Sequence, residues 1–256
     1  MTEDRYARQR ILPELGEEGQ RKLGLGSVLI IGCGALGGLQ AELLTRAGVG
    51  MIRVVDRDVV DWSNLPRQIL YDERDAREHV SKAEAAQRRL RAVNSSVTIE
   101  GLPLDANPRT IEGLIEGMDL VLDGTDNFDT RYLINDACIK HGKPWVYGGV
   151  LGTTGMAMPI IPPSGPCLRC LIPEPPEPGT YPTTATAGVL STAVSAVASF
   201  QITAAVRILT GSPPTPGGLI HIDIWRPCFD FCEVKRDENC SCCVERKFEF
   251  LEAIRS

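Results

Sequence analysis

The sequence predicts an α/β protein built on a doubly wound, Rossmann-like sheet, followed by a C-terminal extension of different character. Three observations lead there. Short apolar runs rich in β-branched residues alternate with helical stretches over residues 1–150. A glycine loop follows the first run, and an acid ends the second. After about residue 152 the alternation gives way to proline-rich and cysteine-rich segments.

The elements follow in order. Ser27–Ile31 reads SVLII, the continuous apolar run of a buried parallel strand. Residues 39–47 have helical spacing and stop at Gly48, and Met51–Val55 is a second strand ending on Asp56. Residues 81–93 predict a helix, 97–102 a strand, 110–116 a helix and 119–123 a strong strand. A helix over 131–141 and a strand over 145–150 complete the alternation. Beyond it, 156–161 predicts a strand and 162–182 is too rich in proline for regular structure. A helix over 185–206, a loop at 211–218 and a strand over 219–224 follow. No tandem repeat is present. The second half is read as an extension of one domain spanning 1–256, with a nucleotide-binding part at 1–150 and an extension at 151–256.

Composition narrows the class. With 43% hydrophobic and 23% charged residues the chain is an ordinary globular one, and its net charge of −6 predicts neither a nucleic-acid nor a membrane surface. No apolar signal region opens the chain, so a cytoplasmic location is expected. The apolar stretch at 185–206 is interrupted by Thr, Ser and Gln201, which favours a packed helix over a membrane span. Nine cysteines in a reducing compartment point to metal more than to disulfides.

Gly32-Cys33-Gly34-Ala35-Leu36-Gly37 matches G-x-G-x-x-G between a strand and a helix. Glycines allow the backbone to approach a phosphate, and the helix N-terminus offers it free N–H groups and partial positive charge. Asp56, 19 residues beyond Gly37, is placed to accept hydrogen bonds from ribose hydroxyls. Alone, this constellation fits an NAD-dependent oxidoreductase as well as any other nucleotide enzyme. The residues after the second strand turn it another way. Arg67 and Lys82 are candidate cations for phosphate oxygens, and Asp126, just past a strand's carboxyl end, is a candidate Mg²⁺ ligand.

The segment Asp56-Arg57-Asp58-Val59-Val60-Asp61-Trp62-Ser63-Asn64-Leu65-Pro66-Arg67-Gln68 strongly resembles the D-x-D-x-V-x-x-S-N-L-x-R-Q signature of the MoeB/ThiF/HesA family, relatives of the enzymes that activate ubiquitin. Arg5-Tyr6-Ala7-Arg8-Gln9 resembles that family's R-Y-x-R-Q motif, and Asp123-Gly124-Thr125-Asp126-Asn127 its D-x-T-D-N motif, in the family's order. The resemblance implies an ATP-dependent adenylyltransferase that activates the C-terminal Gly-Gly carboxylate of a ubiquitin-like sulfur-carrier protein, releasing pyrophosphate. It implies that Gly34 and Ala35 face the phosphates and that Asp56 holds the ribose. Ser63, Asn64, Arg67, Lys82, Asp126 and Asn127 would complete the nucleotide site. Arg8 would reach into the partner's site of a homodimer, with Arg8, Arg67, Lys82 and Asp126 as the catalytic set. Ala35 stands where the family often has glycine, which leaves that loop contact open. Other carboxylate substrates, including a tRNA-linked one, remain alternatives, as does a non-catalytic scaffold; the acidic balance disfavours nucleic acid.

Cys167-Leu168-Arg169-Cys170 and Cys240-Ser241-Cys242-Cys243 each contain a Cys-x-x-Cys pair. Two such knuckles can close a tetrahedral zinc site on Cys167, Cys170, Cys240 and Cys243, although about 70 residues separate them. Redox pairs or isolated thiols are the alternatives, and Cys242 competes with Cys243 at a poorer spacing. The resemblance favours the structural zinc site, since many family members carry this distant double pair. Cys228 and Cys232 are left as buried thiols or a second metal or redox pair. Several relatives place a nucleophilic cysteine before an A-G-V segment. Here residues 183–189 hold threonines and no cysteine. With no room for an appended sulfurtransferase domain, sulfur is expected from a separate donor protein.

Overall fold

In the computed structural model, residues 4–177, 179–180 and 182–252 are described. Met1, Thr2 and Glu3, Pro178 and Tyr181 of the proline-rich stretch, and the side chain of Ala185 lie outside the description. The chain runs α1 (Ala7–Arg10), α2 (Gly16–Leu23), β1 (Ser27–Ile31), α3 (Ala35–Ala47), β2 (Met51–Val55), α4 (Glu73–Glu78), α5 (Lys82–Val93), β3 (Thr98–Leu102), α6 (Ile111–Ile115) and β4 (Leu120–Asp123). It continues through α7 (Phe128–Lys140), β5 (Trp145–Leu151), β6 (Thr154–Ile160), α8 (Leu168–Leu171), α9 (Thr184–Ala187), α10 (Ser191–Thr210), β7 (Gly218–Asp223), β8 (Cys228–Glu233) and α11 (Glu249–Glu252).

The strands form one sheet in the order β3-β2-β1-β4-β5-β6-β7-β8. Neighbours from β3 to β5 run parallel, and β6, β7 and β8 add antiparallel pairs. β1 shows why the core strands are apolar throughout. Val28 and Ile30 face a cluster covered by α3, α5 and α10, while Leu29 and Ile31 face a second cluster covered by α6 and α7. The order reverses between β1 and β4, so the loops leaving these strands diverge and open a crevice at their carboxyl ends.

Several elements differ from expectation for physical reasons. α3 starts at Ala35, its first turn hidden in the sequence by Gly37 and Gly38. α7 starts at Phe128 because the Asn127 side chain caps it, accepting from the Thr130 amide at 2.9 Å. The helix expected over 185–206 is two helices, broken at Gly188, where φ is 75°. The proline-rich stretch holds one helical turn, α8, seeded at the first cysteine knuckle. β8 was not anticipated; it is an edge strand with every residue exposed. It also settles one cysteine alternative, because Cys228 and Cys232 are exposed, not buried. Four residues apart on one extended strand they lie about 13 Å apart, beyond disulfide reach.

α10 has the length and hydropathy to cross a membrane. Here it lies on the sheet, and buried Gln201 in its middle donates to the main-chain carbonyls of Asp123 (2.9 Å) and Val146 (3.2 Å). That glutamine belongs to a buried polar network at the crevice. Gln40 also donates to the Asp123 carbonyl, at 2.9 Å, and to Gln201 Oε1 at 2.7 Å. The Asp123 carboxylate accepts from the Thr125 amide and hydroxyl, from the Gly148 amide, and from Arg131 Nε at 3.0 Å. Arg131 Nη2 in turn donates to the carbonyls of Thr125 and Gly148.

With side-chain exposures of 8% and 0%, Arg131 and Asp123 form a fully desolvated ion pair. Removing one partner strands the other charge. Arg131→Ala is expected to cost ~3–5 kcal/mol of folding free energy, read from urea denaturation. A loss below ~1 kcal/mol, the level of an exposed pair, would contradict the network's role.

Candidate nucleotide and metal sites

The crevice is a cavity of about 1260 Å³ at the carboxyl ends of β1, β2, β3 and β4. The glycine loop forms its floor. Gly32 has φ of 89°, a conformation that disfavours a side chain. At Gly37 a Cβ would collide with the Gly32 carbonyl, so this glycine lets α3 sit against the loop. Gly34 differs, since the nearest group to a Cβ there would be Gln68 Nε2 at 3.8 Å, and the residue faces the cavity. No side chain caps α3, so its first N–H groups and the positive end of its dipole open onto this space.

Of the residues expected at the site, Gly34, Ala35, Asp56, Asn64, Arg67, Lys82, Asp126 and Asn127 line this one cavity. Ser63 does not; its amide and hydroxyl both donate to the Asp61 carboxylate, at 2.8 and 2.6 Å. Arg8 does not either. It is exposed on α1 and makes no printed contact with its own chain's cavity. Asp56 is held by main-chain amides, with Oδ2 accepting from Cys33 at 2.7 Å and Oδ1 from Asp58 at 2.8 Å. Burial raises its pKa above the ordinary carboxylate range, opposed by those two hydrogen bonds and by the charge of Lys82. The Lys82 side chain is only 9% exposed and pairs with Asp58 at 3.1 Å, so it is a directed cation and no ordinary surface lysine. Arg67 is steadied by donating to the Ser63 carbonyl at 2.7 Å. Asp126 is exposed at the cavity, close enough to Arg131 to reinforce its charge.

The sequence reading missed part of the wall. Leu104, Asp105, Ala106, Asn107 and Arg109, from the loop after β3, line the cavity opposite the glycine loop. So do Glu249 and Phe250 of α11, drawn in by a ring stack of Phe250 on Tyr132 and by the Phe250 amide donating to Asp136. Thr184 and Val189 bring the segment before α10 to the rim. No cysteine lines the cavity among the described residues. Cys33, beneath the loop, is fully buried, and burial pushes its thiol up to about 12.

On the far face of the sheet, the Sγ atoms of Cys167, Cys170, Cys240 and Cys243 lie within 4.8 Å of one another. Hydrogen bonding from Cys167 and then Cys243 holds the Cys170 thiol low, while Cys167 and Cys243 are pushed up by sharing that crowded sulfur cluster. Four converging thiols suit a tetrahedral cation. Cys242 stands outside the set, accepting a hydrogen bond from Asn135 Nδ2 at 3.2 Å.

A Rossmann-like sheet with an uncapped helix above a glycine loop, facing two directed cations and a carboxylate, defines a nucleotide-binding α/β protein. The ThiF family model matches residues 6–243, and the chain belongs to the ThiF family. It is 43% identical over 251 residues to the sulfur carrier protein ThiS adenylyltransferase of Bacillus subtilis, covering 96% of this chain and 73% of that one. It is 40% identical to the sulfur carrier protein adenylyltransferase of Thermus thermophilus, covering 94% and 90%. Its fold matches that of E. coli MccB, solved with AMPCPP and MccA, with a TM-score of 0.83 at 20% identity over 95% of this chain and 75% of that one.

The raised pKa of Asp56 gives a pH test. A carboxylate that protonates above the ordinary range loses acceptor strength early as pH falls. Adenosine, which has no phosphate to titrate, is expected to bind with an affinity that declines as pH drops toward ~5. In Asp56→Asn the affinity is expected to be lower by roughly tenfold and flat with pH. Equal affinity and equal pH profiles for the two proteins would contradict the assignment.

Proposed function

We propose that this chain is an ATP-dependent adenylyltransferase that activates the C-terminal Gly-Gly carboxylate of a ubiquitin-like sulfur-carrier protein. The observation that carries the reading is the convergence of Arg67, Lys82 and Asp126 on the open N-terminus of α3. Family membership and the names of the relatives support it. Attack of a carboxylate oxygen on the α-phosphorus builds negative charge on phosphate oxygens as pyrophosphate leaves. Preorganised cations in a partly desolvated cleft stabilise that charge. Hydride transfer has no use for them, which sets aside the oxidoreductase alternative.

In this reading Asp56 accepts from the ribose, and Leu104 and Ala106 offer an apolar wall to the base. Gly34, Ala35 and the α3 amides take phosphate oxygens, with Asn64, Ser63 and Asn127 supporting the loops around them. Asp126 would hold Mg²⁺, which supplies charge neutralisation at the phosphates. The cation set is completed by Arg8 of a second copy in a homodimer. With no thiol at the cavity, sulfur comes from a separate donor protein acting on the released or bound acyl-adenylate. The whole of 1–256 serves as one adenylation domain, with residues 1–150 binding nucleotide and 151–256 carrying the zinc and partner surfaces.

Neutral hydroxylamine tests the chemistry and the assembly together. With ATP and a ThiS-type carrier, the wild-type protein is expected to give a C-terminal hydroxamate on the carrier, seen by intact mass. Arg8→Ala and Asp126→Ala homodimers are each expected to give little, and a subunit-exchanged mixture is expected to recover part of the yield, because one of its two sites then carries neither defect. No hydroxamate from wild type contradicts the activity. No recovery in verified mixed dimers contradicts the shared site.

Cys167, Cys170, Cys240 and Cys243 would hold one Zn²⁺ in a closed site with no position for substrate, so its contribution is to folding. Elemental analysis is expected to find one zinc per chain. Cys170→Ala is expected to lose it and to melt on the order of 10 °C lower, while Cys228→Ala changes neither. A zinc-free wild-type protein, or an unchanged melting temperature in Cys170→Ala, would remove the claim.

A further inference from the structure

Gln68 has a side chain that the nucleotide chemistry does not use. The residue is 5% exposed and lines the cavity. Its main-chain amide donates to the Asn64 carbonyl at 2.9 Å, which fixes the residue at the end of the turn that carries Arg67. Its side-chain Oε1 is buried with no hydrogen-bond partner. Its Nε2 faces Gly34, at the mouth of α3, 3.8 Å from where a Cβ would stand.

The neighbours are satisfied within the chain. Asn64 Oδ1 accepts from the Asp61 amide at 3.0 Å, Arg67 donates to the Ser63 carbonyl, and the Tyr71 hydroxyl donates to the Cys33 carbonyl at 2.6 Å. Gln201, fully buried elsewhere in the fold, uses both ends of its amide on protein groups. Buried amides without partners are rare, and they point to a ligand when they line a cavity.

The chemistry of the amide selects the ligand. A carboxamide offers a donor and an acceptor side by side. A phosphate can only accept, so it would leave the Gln68 oxygen unpaired. The ribose belongs to Asp56, and the apolar wall for the base lies across the cavity at Leu104 and Ala106. A peptide group carries both an N–H and a carbonyl at matching spacing. It must also reach this position, because the carboxylate that attacks the α-phosphorus arrives at the end of a peptide tail.

We infer that the Gln68 carboxamide binds the last peptide group of the substrate tail and so positions the terminal carboxylate over the α-phosphate. The inference rests on the adenylation reading above. Gln68 then selects for a peptide-linked carboxylate over a free small acid, while Arg67 and Lys82 serve the nucleotide.

The test uses the full-length protein, ATP–pyrophosphate exchange, and a ThiS-type carrier made in two forms. One has the native Gly-Gly end; the other has an ester in place of the final peptide bond, which deletes only that N–H. Wild type is expected to show a KM for the ester carrier about tenfold higher than for the native one. Gln68→Met is expected to show a similarly raised KM for the native carrier and no further penalty for the ester. Its calorimetric Kd for ATP without carrier is expected to match wild type, and its melting temperature to be equal or higher, since an unpaired buried amide has been replaced by an apolar isostere. Gln68→Glu, which keeps the acceptor and loses the donor, is expected to retain sensitivity to the ester.

A weakened ATP Kd in Gln68→Met would make the residue a nucleotide ligand and overturn the inference. An undiminished ester penalty in Gln68→Met would overturn it as well. Exchange with neither carrier by the wild-type protein would overturn the adenylation reading and this inference together.

Discussion

A carboxylate buried away from water is tolerated only when its charge is matched and its lone pairs are filled, and Asp123 sits at the point where this requirement organises the crevice. Its side chain ties the loop after β4 to Arg131 of α7 and to Gly148 of β5. Its main-chain carbonyl gathers Gln40 of α3 and Gln201 of α10. Five elements from both faces of the sheet thereby meet at the carboxyl end of β4. The net stability of such a pair is small against its desolvation cost. What it supplies is position: the short segment from Gly124 to Asn127 leaves the network with its direction set, and Asp126 follows three residues after Asp123.

The second face of the crevice depends on close backbone approach. Gly37 lets α3 settle on the Gly32 carbonyl, which brings the uncapped helix end to the level of Asp56 and Lys82. The loop is braced from below by the Tyr71 hydroxyl on the Cys33 carbonyl and from the side by Asp56 on the Cys33 amide. Lys82 is held in reserve by Asp58, a partner exposed enough to release it when a stronger anion arrives. The zinc knuckles act at a distance. They fasten the C-terminal segment beneath α7, from which α11 returns Glu249 and Phe250 to the cavity rim.

Much of this was legible because it is written in residue types with few physical alternatives. β1, β2 and β4 are buried on both faces and so appear as unbroken apolar runs. Glycines, arginines and acids at fixed offsets mark a phosphate site on almost any sequence. The buried polar residues were not legible. Arg131 opens a nine-residue stretch of α7 buried throughout, so no amphipathic period distinguishes it from a surface arginine. Gln40, Gln68 and Gln201 look like solvated positions until the fold shows them at 0%, 5% and 0% exposure. β8 escaped because its CFDFCE alternation invited a reading in terms of thiols, and an edge strand exposed on every residue lacks the apolar signal that identifies a strand. The wall formed by residues 104–109 and the return of α11 are tertiary facts with no local signature.

The account turns on one bond-forming event, attack of a peptide carboxylate oxygen on the α-phosphorus of ATP. Oxygen labelling follows that bond directly. A ThiS-type carrier with ¹⁸O in its terminal carboxylate is mixed with the protein and ATP, and the product is cleaved at the acyl carbon with hydroxylamine. The account requires the label in AMP and none in pyrophosphate. Label in orthophosphate, or AMP formed without label, would contradict it.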